Sequence, residues 1–544
     1  MTLRSCLLAT TALMVLASPA LADDAAIEKR LDAMQRMIDT QARQIQVQKN
    51  EISSLKKVLG QTDAKPAPAP VASAPKPEIA AAPPPALENK VTAQQAQIEQ
   101  LSARLETAQN DARLAKLDTP VWSFAAGRPT LTSPDGRFTF AVRAIAQYDT
   151  ALYTQGGSAV QLAAANGPDL SSGANFRRAQ LGITGKLFND WSYYFNYDFA
   201  GSGGTETPGH IQQAWVQYDG LAPFALRVGA FTPSANLEDN TGAADTIFLE
   251  RNAPSEISRS VAGGDGRDAI GIIYTGDRVY GALTYTGNKV QDSGSFDEQQ
   301  ALVGRLSYLA LADDNTKVVI SASGTHVFRI ADTAAGNFAP RTITLSAPPE
   351  LTVDNTGAKL VSSGAINAES VWLWGLESGV QYQNLYAQAG YFDYGVDLRG
   401  TPGAYGFKGW YAQASWVLTG ESRVYSTTSG AFTNPKPRIP FSLSGGGLGA
   451  WEAAVRFSDL DLNDNAGSLG AALPAGGIRG GDQRIWTAGL NWYPNTALKF
   501  QVQYQHIDIS RIGTIPAGFG HGVLNNTQVG QTLDTVALRT QIAF

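Results

Sequence analysis

The chain has 544 residues with 42 Lys and Arg against 48 Asp and Glu, a formal charge of −6. It is rich in Gly (55) and in aromatic residues (9%), and it carries a single Cys. Only the first 22 residues hold a long apolar run, which excludes a helical membrane protein, and the remaining composition is too apolar for a disordered chain.

The N-terminus, MTLRSCLLATTALMVLASPALA, reads as an export signal. Arg4 gives the positive end, Leu7 to Leu16 the apolar segment, and Ala20-Leu21-Ala22 a small-residue cleavage site. Removal of residues 1–22 takes Cys6 with it, so the mature chain has neither disulfides nor thiolate chemistry. Next comes a heptad over 23–60. Ile27, Leu31, Met34, Ile38, Ile45, Ile52, Leu55 and Leu59 follow alternating steps of four and three, with Gln41 and Gln48 in the same seam. That 3.5-residue period predicts a coiled coil. A stretch with eight Pro (61–86) predicts an extended spacer. A weaker heptad through Ile98, Leu101 and Leu105 predicts a second helical segment over 87–119.

From residue 120 to 544 the period changes to two. Phe140, Val142, Ala144, Ala146 and Tyr148 alternate with Arg143, Gln147 and Asp149. Trp191, Tyr193, Phe195 and Tyr197 alternate with Ser192, Asn196 and Asp198; Phe500, Val502 and Tyr504 alternate with Gln501, Gln503 and Gln505. These are half-apolar strands. Strands of about ten residues with aromatic ends fit a transmembrane barrel better than a soluble sandwich. At about 25–27 residues per strand and loop, the region gives roughly 16 antiparallel strands, the porin size class. The fold class is then all-β: a 16-stranded antiparallel transmembrane β-barrel with an N-terminal α-helical coiled-coil region. The polar row would line a wet lumen, and it contains Arg143, Arg178, Lys186, Arg227, Arg305 and Arg539. The barrel region has 28 basic and 35 acidic residues, a balance of −7 that acids on external loops would explain without touching the lumen.

Several blocks, FRRAQLGITGKLFNDWSYYFNYDFAG (176–201), HIQQAWVQYDGLAPFALRVGAFTPSANLEDNTGAADTIFLERN (210–252), GWYAQASWVLTGESRVY (409–425), AWEAAVRFSDLDLND (450–464) and the terminal RTQIAF, resemble the phosphate-selective porins of the O/P type. The resemblance implies an outer-membrane homotrimer of barrels and an inward-folded third external loop, here about 232–268, carrying Arg251, Arg259 and Arg267. It also implies an arginine row that guides small anions such as phosphate. Its paired arginines map to Arg177 and Arg178. Alternation lets only one of them face the lumen from a regular strand, so Arg178 is expected inside and Arg177 at the rim or on a bulge. The expected function is passive diffusion, with no enzyme activity, cofactor, metal or nucleic acid. The partners are outer-membrane lipid and, through the coiled coil, a cell-wall or periplasmic contact. The alternatives are a general or cation-preferring porin of the same fold and a secreted, coiled-coil-tethered β adhesin.

Overall fold

The computed structural model describes residues 43, 46, 47, 50, 85–117, 119–124, 127–156, 170–201, 209–290, 296–336, 338–354, 357–515, 517 and 522–544. The export signal, nearly all of the first heptad with its eight seam residues, and the spacer up to residue 84 lie outside the described residues, while residues 85 and 86, expected in the spacer, begin a helix. The chain divides into two units, Met1–Pro120 and Val121–Phe544. In the first, α1 (Pro85–Leu117) is a continuous helix beginning at a proline, which suits a first helical turn where the N–H has no partner. Ile98 is buried, with Leu101 and Leu105 packed against it on one face.

The second unit is a closed barrel of 16 antiparallel strands: β1 (Thr139–Gly156), β2 (Gly173–Leu187), β3 (Trp191–Asp198), β4 (His210–Leu221), β5 (Phe224–Phe231), β6 (Arg267–Thr275), β7 (Val279–Lys289), β8 (Gln300–Ala312), β9 (Thr316–Arg329), β10 (Ile366–Tyr382), β11 (Leu385–Leu398), β12 (Ala404–Val417), β13 (Ala450–Asp464), β14 (Ile478–Tyr493), β15 (Leu498–Ser510) and β16 (Thr532–Ala543). Each pairs with its chain neighbour, and β16 returns to β1 with Thr532 opposite Gly156 and Ala543 opposite Ile145. The terminal Phe544 completes the seam: its N–H donates to the Ala144 carbonyl (3.1 Å) and its carbonyl accepts from the Ala144 N–H (3.2 Å). Closure leaves no strand edge unpaired in lipid.

The outward row is apolar where a bilayer would lie. Two sets of aromatic contacts lie on the exterior of β12–β15. Trp451, Trp492 and Phe500 stack in series near the short turns, at 5.4 Å for each neighbouring pair. Towards the other end, Trp410, Phe457 and Trp486 follow one another at 5.1 and 4.6 Å. Beyond this second set the polarity of the exterior changes. On β13 the outward residues run Trp451, Val455, Phe457 and then Asp459, Asp461; on β15 they run Phe500, Val502, Tyr504 and then His506, Asp508. The strands are longer than hydrocarbon requires, and this switch marks where they emerge from it.

Strands β2–β3, β4–β5, β6–β7, β8–β9, β10–β11 and β14–β15 are joined by turns of two to four residues at one end. The opposite end carries the longer connections, including 232–266 and 330–365. One connection breaks the pattern: 418–449, between β12 and β13, is long although it starts at the short-turn end.

Candidate permeation pathway

Three long connections fold into the barrel. The first, 232–266, enters between β5 and β6. It holds α2 (Leu237–Asn240), capped by the Asn236 side chain, which accepts from the Asp239 N–H, and α3 (Ala253–Ala262), capped by Asn252, which accepts from the Ser255 N–H. Side chains of the wall hold its backbone. Gln501 and Asn491 donate to the Ile247 carbonyl, both at 2.9 Å, and Arg456 Nη1 donates to the Glu250 carbonyl at 3.0 Å. The Glu377 carboxylate accepts from the Leu237 N–H at 2.6 Å.

The second, 330–365, covers this loop from the long-loop end. Its Glu350 accepts from the Ala253 N–H (2.7 Å), at the start of α3, and from the Ser458 hydroxyl (2.6 Å), and it pairs with the fully buried Arg456. A carboxylate there meets the positive end of a helix and a guanidinium together. Leu345, Ala347, Leu360 and Val361 pack on an inward apolar row of Val371, Leu373, Phe392, Val396, Leu460, Ile485 and Ile507.

The third, 418–449, rises from the short-turn end. Arg305 donates to the carbonyls of Ser429 (2.9 Å) and Gly430 (2.7 Å) at its tip. Gly430 has φ +57°, and a Cβ there would lie 2.8 Å from the Tyr280 Cβ, so only glycine fits this approach. Phe432 joins Leu237, Ile247 and Phe248 of the first loop in one buried cluster. Loops from the two ends therefore touch inside the barrel.

The consequence is an uneven interior. From β8 round to β16 the inward residues are buried along most of each strand. On β3, β4 and β5 most inward residues, among them Tyr194, Gln213, Trp215, Gln217, Asp219 and Arg227, remain half-exposed. Two cavities flank the third loop at the short-turn end. One, of about 530 Å³, is bounded by β4–β7 and contains Arg227 and Asp219. The other, of about 450 Å³, contains Arg128, Arg143, Asp245, Lys436, Lys499 and Phe544.

The ten basic residues singled out from sequence divide along the same line. Arg143 and Arg227 face the cavities, and Lys186 is exposed at the short-turn end of β2. Arg177 sits where the β1–β2 register slips between Gln147 and Tyr148, a bulge that turns both members of the pair inward. There Arg177 pairs with Glu250 (2.8 Å), and Arg178 donates to the Gln147 side-chain oxygen (2.7 Å). The other five fasten protein to protein. Arg539 grips Asp149 (2.6 Å) and Glu250 (2.9 Å). Arg259 holds Asp239 and Asp265 (both 2.7 Å), and Arg251 holds Asp239 (3.2 Å). Arg267 donates to the carbonyls of Gly263 and Gly287, both at 2.9 Å, and Arg305 anchors the third loop.

Acidic residues are not confined to the outer rim, as the charge balance had suggested. Glu238, Asp239 and Glu250 ride into the barrel on the first loop, and Asp149, Asp198, Glu377 and Glu452 line its wall, all buried. Burial alone would raise the Glu250 and Asp265 carboxyls. Arg177, Arg539 and Arg178 around the first, and Arg259, the Thr232 hydroxyl, Arg251 and Arg178 around the second, outweigh it and hold both well below the usual carboxylate range. Glu238 goes the other way: burial raises it, and the partly compensating Arg456 and Arg251 do not reverse the shift.

Arg128, Arg423, Arg456 and Lys499 were missed from sequence. Arg456 and Lys499 lie on inward rows that alternation exposes, opposite Val455 and Phe500. Arg423 and Arg128 lie outside the barrel strands, where period two gives no signal. Among the described residues no group of His, Cys, Asp or Glu is placed to hold a metal ion.

The family profile "phosphate-selective porin O and P" matches residues 157–523. The chain belongs to this family. It is an outer-membrane porin, and its apolar exterior band and closed ladder are what that setting demands. It is 26% identical to Porin O of Pseudomonas aeruginosa over 346 residues, 61% of this chain and 76% of the relative. It is 25% identical to an uncharacterised protein of Caulobacter vibrioides, over 62% of this chain and 64% of that one. Among solved structures, OmpT of Vibrio cholerae in its trimer form superposes with a TM-score of 0.42 at 9% identity, covering 74% of this chain and 99% of that one.

Proposed function

We propose that this porin passes small anions, phosphate among them, by passive diffusion along the arc of wall from β1 to β7, and that it does no catalysis. The observation that carries this reading is the placement of charges without ion-pair partners. Arg143 lies with its guanidinium 5.3 Å from the Tyr194 ring centroid, and Arg227 lies 4.1 Å from that of Trp215. Among the described residues neither has a carboxylate within ion-pair distance, whereas Glu250, Asp239 and Asp265 of the first loop are each paired with arginines.

A porin of this kind works by exchange of hydration. An anion entering the narrowed lumen sheds part of its water shell, and guanidinium N–H groups replace it with charge-assisted hydrogen bonds. Separate weak sites, one near Arg143 and one near Arg227, allow capture without trapping. The Trp and Tyr rings beneath these guanidiniums hold them by cation–π attraction without consuming their hydrogen-bonding edges. The working assembly is proposed to be a homotrimer in outer-membrane lipid, with the heptad segments reaching a cell-wall or periplasmic partner.

Planar-bilayer recordings under a salt gradient test the reading. The reversal potential should have the sign of anion preference and move towards zero in Arg143→Gln/Arg227→Gln. A cation-selective current in the unaltered protein would replace this reading with a cation-preferring porin.

A further inference from the structure

The 530 Å³ cavity at the short-turn end of β4–β7 is large for an inorganic anion and falls within the volume range of small-molecule sites, about 300–1,000 Å³. Its chemistry is also more mixed than a phosphate relay requires. Arg227 donates through Nε to the Gln217 side-chain oxygen at 2.8 Å and lies between the rings of Trp215 (4.1 Å) and Phe231 (5.4 Å). Its two terminal nitrogens have no protein acceptor among the described residues, so a planar two-donor fork faces the cavity.

Two carboxylates share that wall. Asp219 accepts from the Ser192 hydroxyl and from Gln217 Nε2 (2.6 Å), and no cation lies within ion-pair distance of it among the described residues. Asp239 spends Oδ1 on Arg251 and Arg259, and its Oδ2 is buried without a hydrogen-bond partner. That oxygen has no surface open to the cavity, so Asp219 is the acceptor a solute can reach. Phe231 and Tyr280 supply apolar wall beside these groups. A bare anion would satisfy the fork but would oppose Asp219.

We propose that this cavity is a subsite for small organic carboxylates that also carry hydroxyl or ammonium donors: hydroxy acids, sugar acids or amino acids. The solute's carboxylate takes the Arg227 fork in a bidentate pair. Its donors turn to Asp219, and its C–H surface lies against Phe231 and Tyr280. This inference rests on the channel reading above and narrows the solute class for one end of the same path.

Gluconate is the probe, with propionate as a carboxylate lacking donors and inorganic phosphate as the bare anion. Each is added at the short-turn side of single channels in a bilayer, and block is read against each protein's own open current. Gluconate should reach half-block at a concentration about tenfold below propionate. Arg227→Gln should raise the gluconate value about tenfold, and Asp219→Asn should bring gluconate and propionate together. The proposal is overturned if gluconate and propionate block alike in the unaltered protein. It is equally overturned if Arg227→Gln leaves gluconate block unchanged, or if phosphate blocks as well as gluconate with the same dependence on both residues. Should Arg227→Gln lose its folded, heat-modifiable form, Asp219→Asn alone decides between these outcomes. A protein that inserts but passes no current removes the channel reading itself, a result distinct from a current indifferent to gluconate.

Discussion

The two sides of this barrel have the same exterior and opposite interiors. Strands β1–β7 and β8–β16 both present apolar rows outward. Inward, the first arc keeps Arg143, Tyr194, Gln213 and Arg227 at least partly open to solvent, while the second carries Val371, Phe392, Leu460, Ile485 and Ile507 under a packed lid of loops. The inside of a 16-stranded barrel is too wide for wall side chains to fill. Here the second arc is packed with connections, one of them from between β5 and β6, and the most open stretch of wall is β3–β5. A porin wall can thus be part pore and part scaffold.

The largest way to break this contrast is to unpair a charge in the scaffold. Arg456 is fully buried, joins Glu350 of the second loop to the Glu250 carbonyl of the first, and lies 4.5 Å from the Phe248 ring centroid. Removing one partner of a buried pair costs about 3–5 kcal/mol because the other charge stays behind. Arg456→Ala should lower the temperature at which the folded band disappears on a gel, and should raise single-channel conductance as both loops loosen. Unaltered values for both would mean that the ion pair does not hold the loops.

Next in size is the contact between loops from opposite ends. Phe432 is 1% exposed and packs 4.8 Å from the Tyr386 ring and 5.3 Å from the Tyr425 ring. Phe432→Ala should cost about 3 kcal/mol through lost burial and an unfilled cavity. The third loop should then become the first segment cut by a protease supplied from the short-turn side. Resistance equal to that of the unaltered protein would show that the polar anchors, Arg305, Arg423 and Asn434 among them, pin the loop without Phe432.

Much of this architecture was legible in the sequence, and the limits have physical causes. Period two revealed strands and their outward rows, because lipid demands a consistent apolar face, and the length of the region gave the total of roughly 16. For the paired arginines the expectation is Arg178 inside and Arg177 at the rim or on a bulge; a bulge is present, and it turns both inward. The dry arc was hidden. In SDLDL and HIDIS the inward residues are apolar and the outward ones acidic, so a rule that sends polar residues to the lumen inverts the faces above the membrane. The inward course of 330–365 was hidden too: once folded against a wall, a loop with few aromatic residues and no alternation has a core partner that only the tertiary structure supplies. The same blindness explains why Arg251, Arg259 and Arg539 read as solute contacts; the carboxylates that claim them are distant in sequence.

Acid offers a graded probe of the scaffold. Glu250 and Asp265 have folded pKa values below their unfolded ones, so their stabilisation is fully present above the unfolded carboxylate range, about pH 4, and is lost only as pH falls through the lower folded values. The share of heat resistance that depends on these two carboxylates, read as the difference from their amide variants, should hold from pH 7 to about pH 5 and weaken below about pH 4. Glu250→Gln should flatten part of that acid limb. A fall in stability already complete at pH 5 would mean that these carboxylates are not held by their arginines.

The smallest effect belongs to the open arc, and it sharpens the comparison most. Arg143 has its ring contact with Tyr194 and a neighbouring Arg128, and its cavity admits water. A solvated charge of this kind is screened, so Arg143→Gln should change anion stabilisation by at most about 1 kcal/mol, up to a fivefold change in the anion-to-cation permeability ratio, with little change in heat resistance. Arg456→Ala should show the converse, a large loss of heat resistance whose effect on current comes through moving loops. If Arg143→Gln instead destabilised the barrel as much as Arg456→Ala, the division between a conducting arc and a structural arc would fail, because a residue that holds the fold cannot at the same time be free to hold the solute.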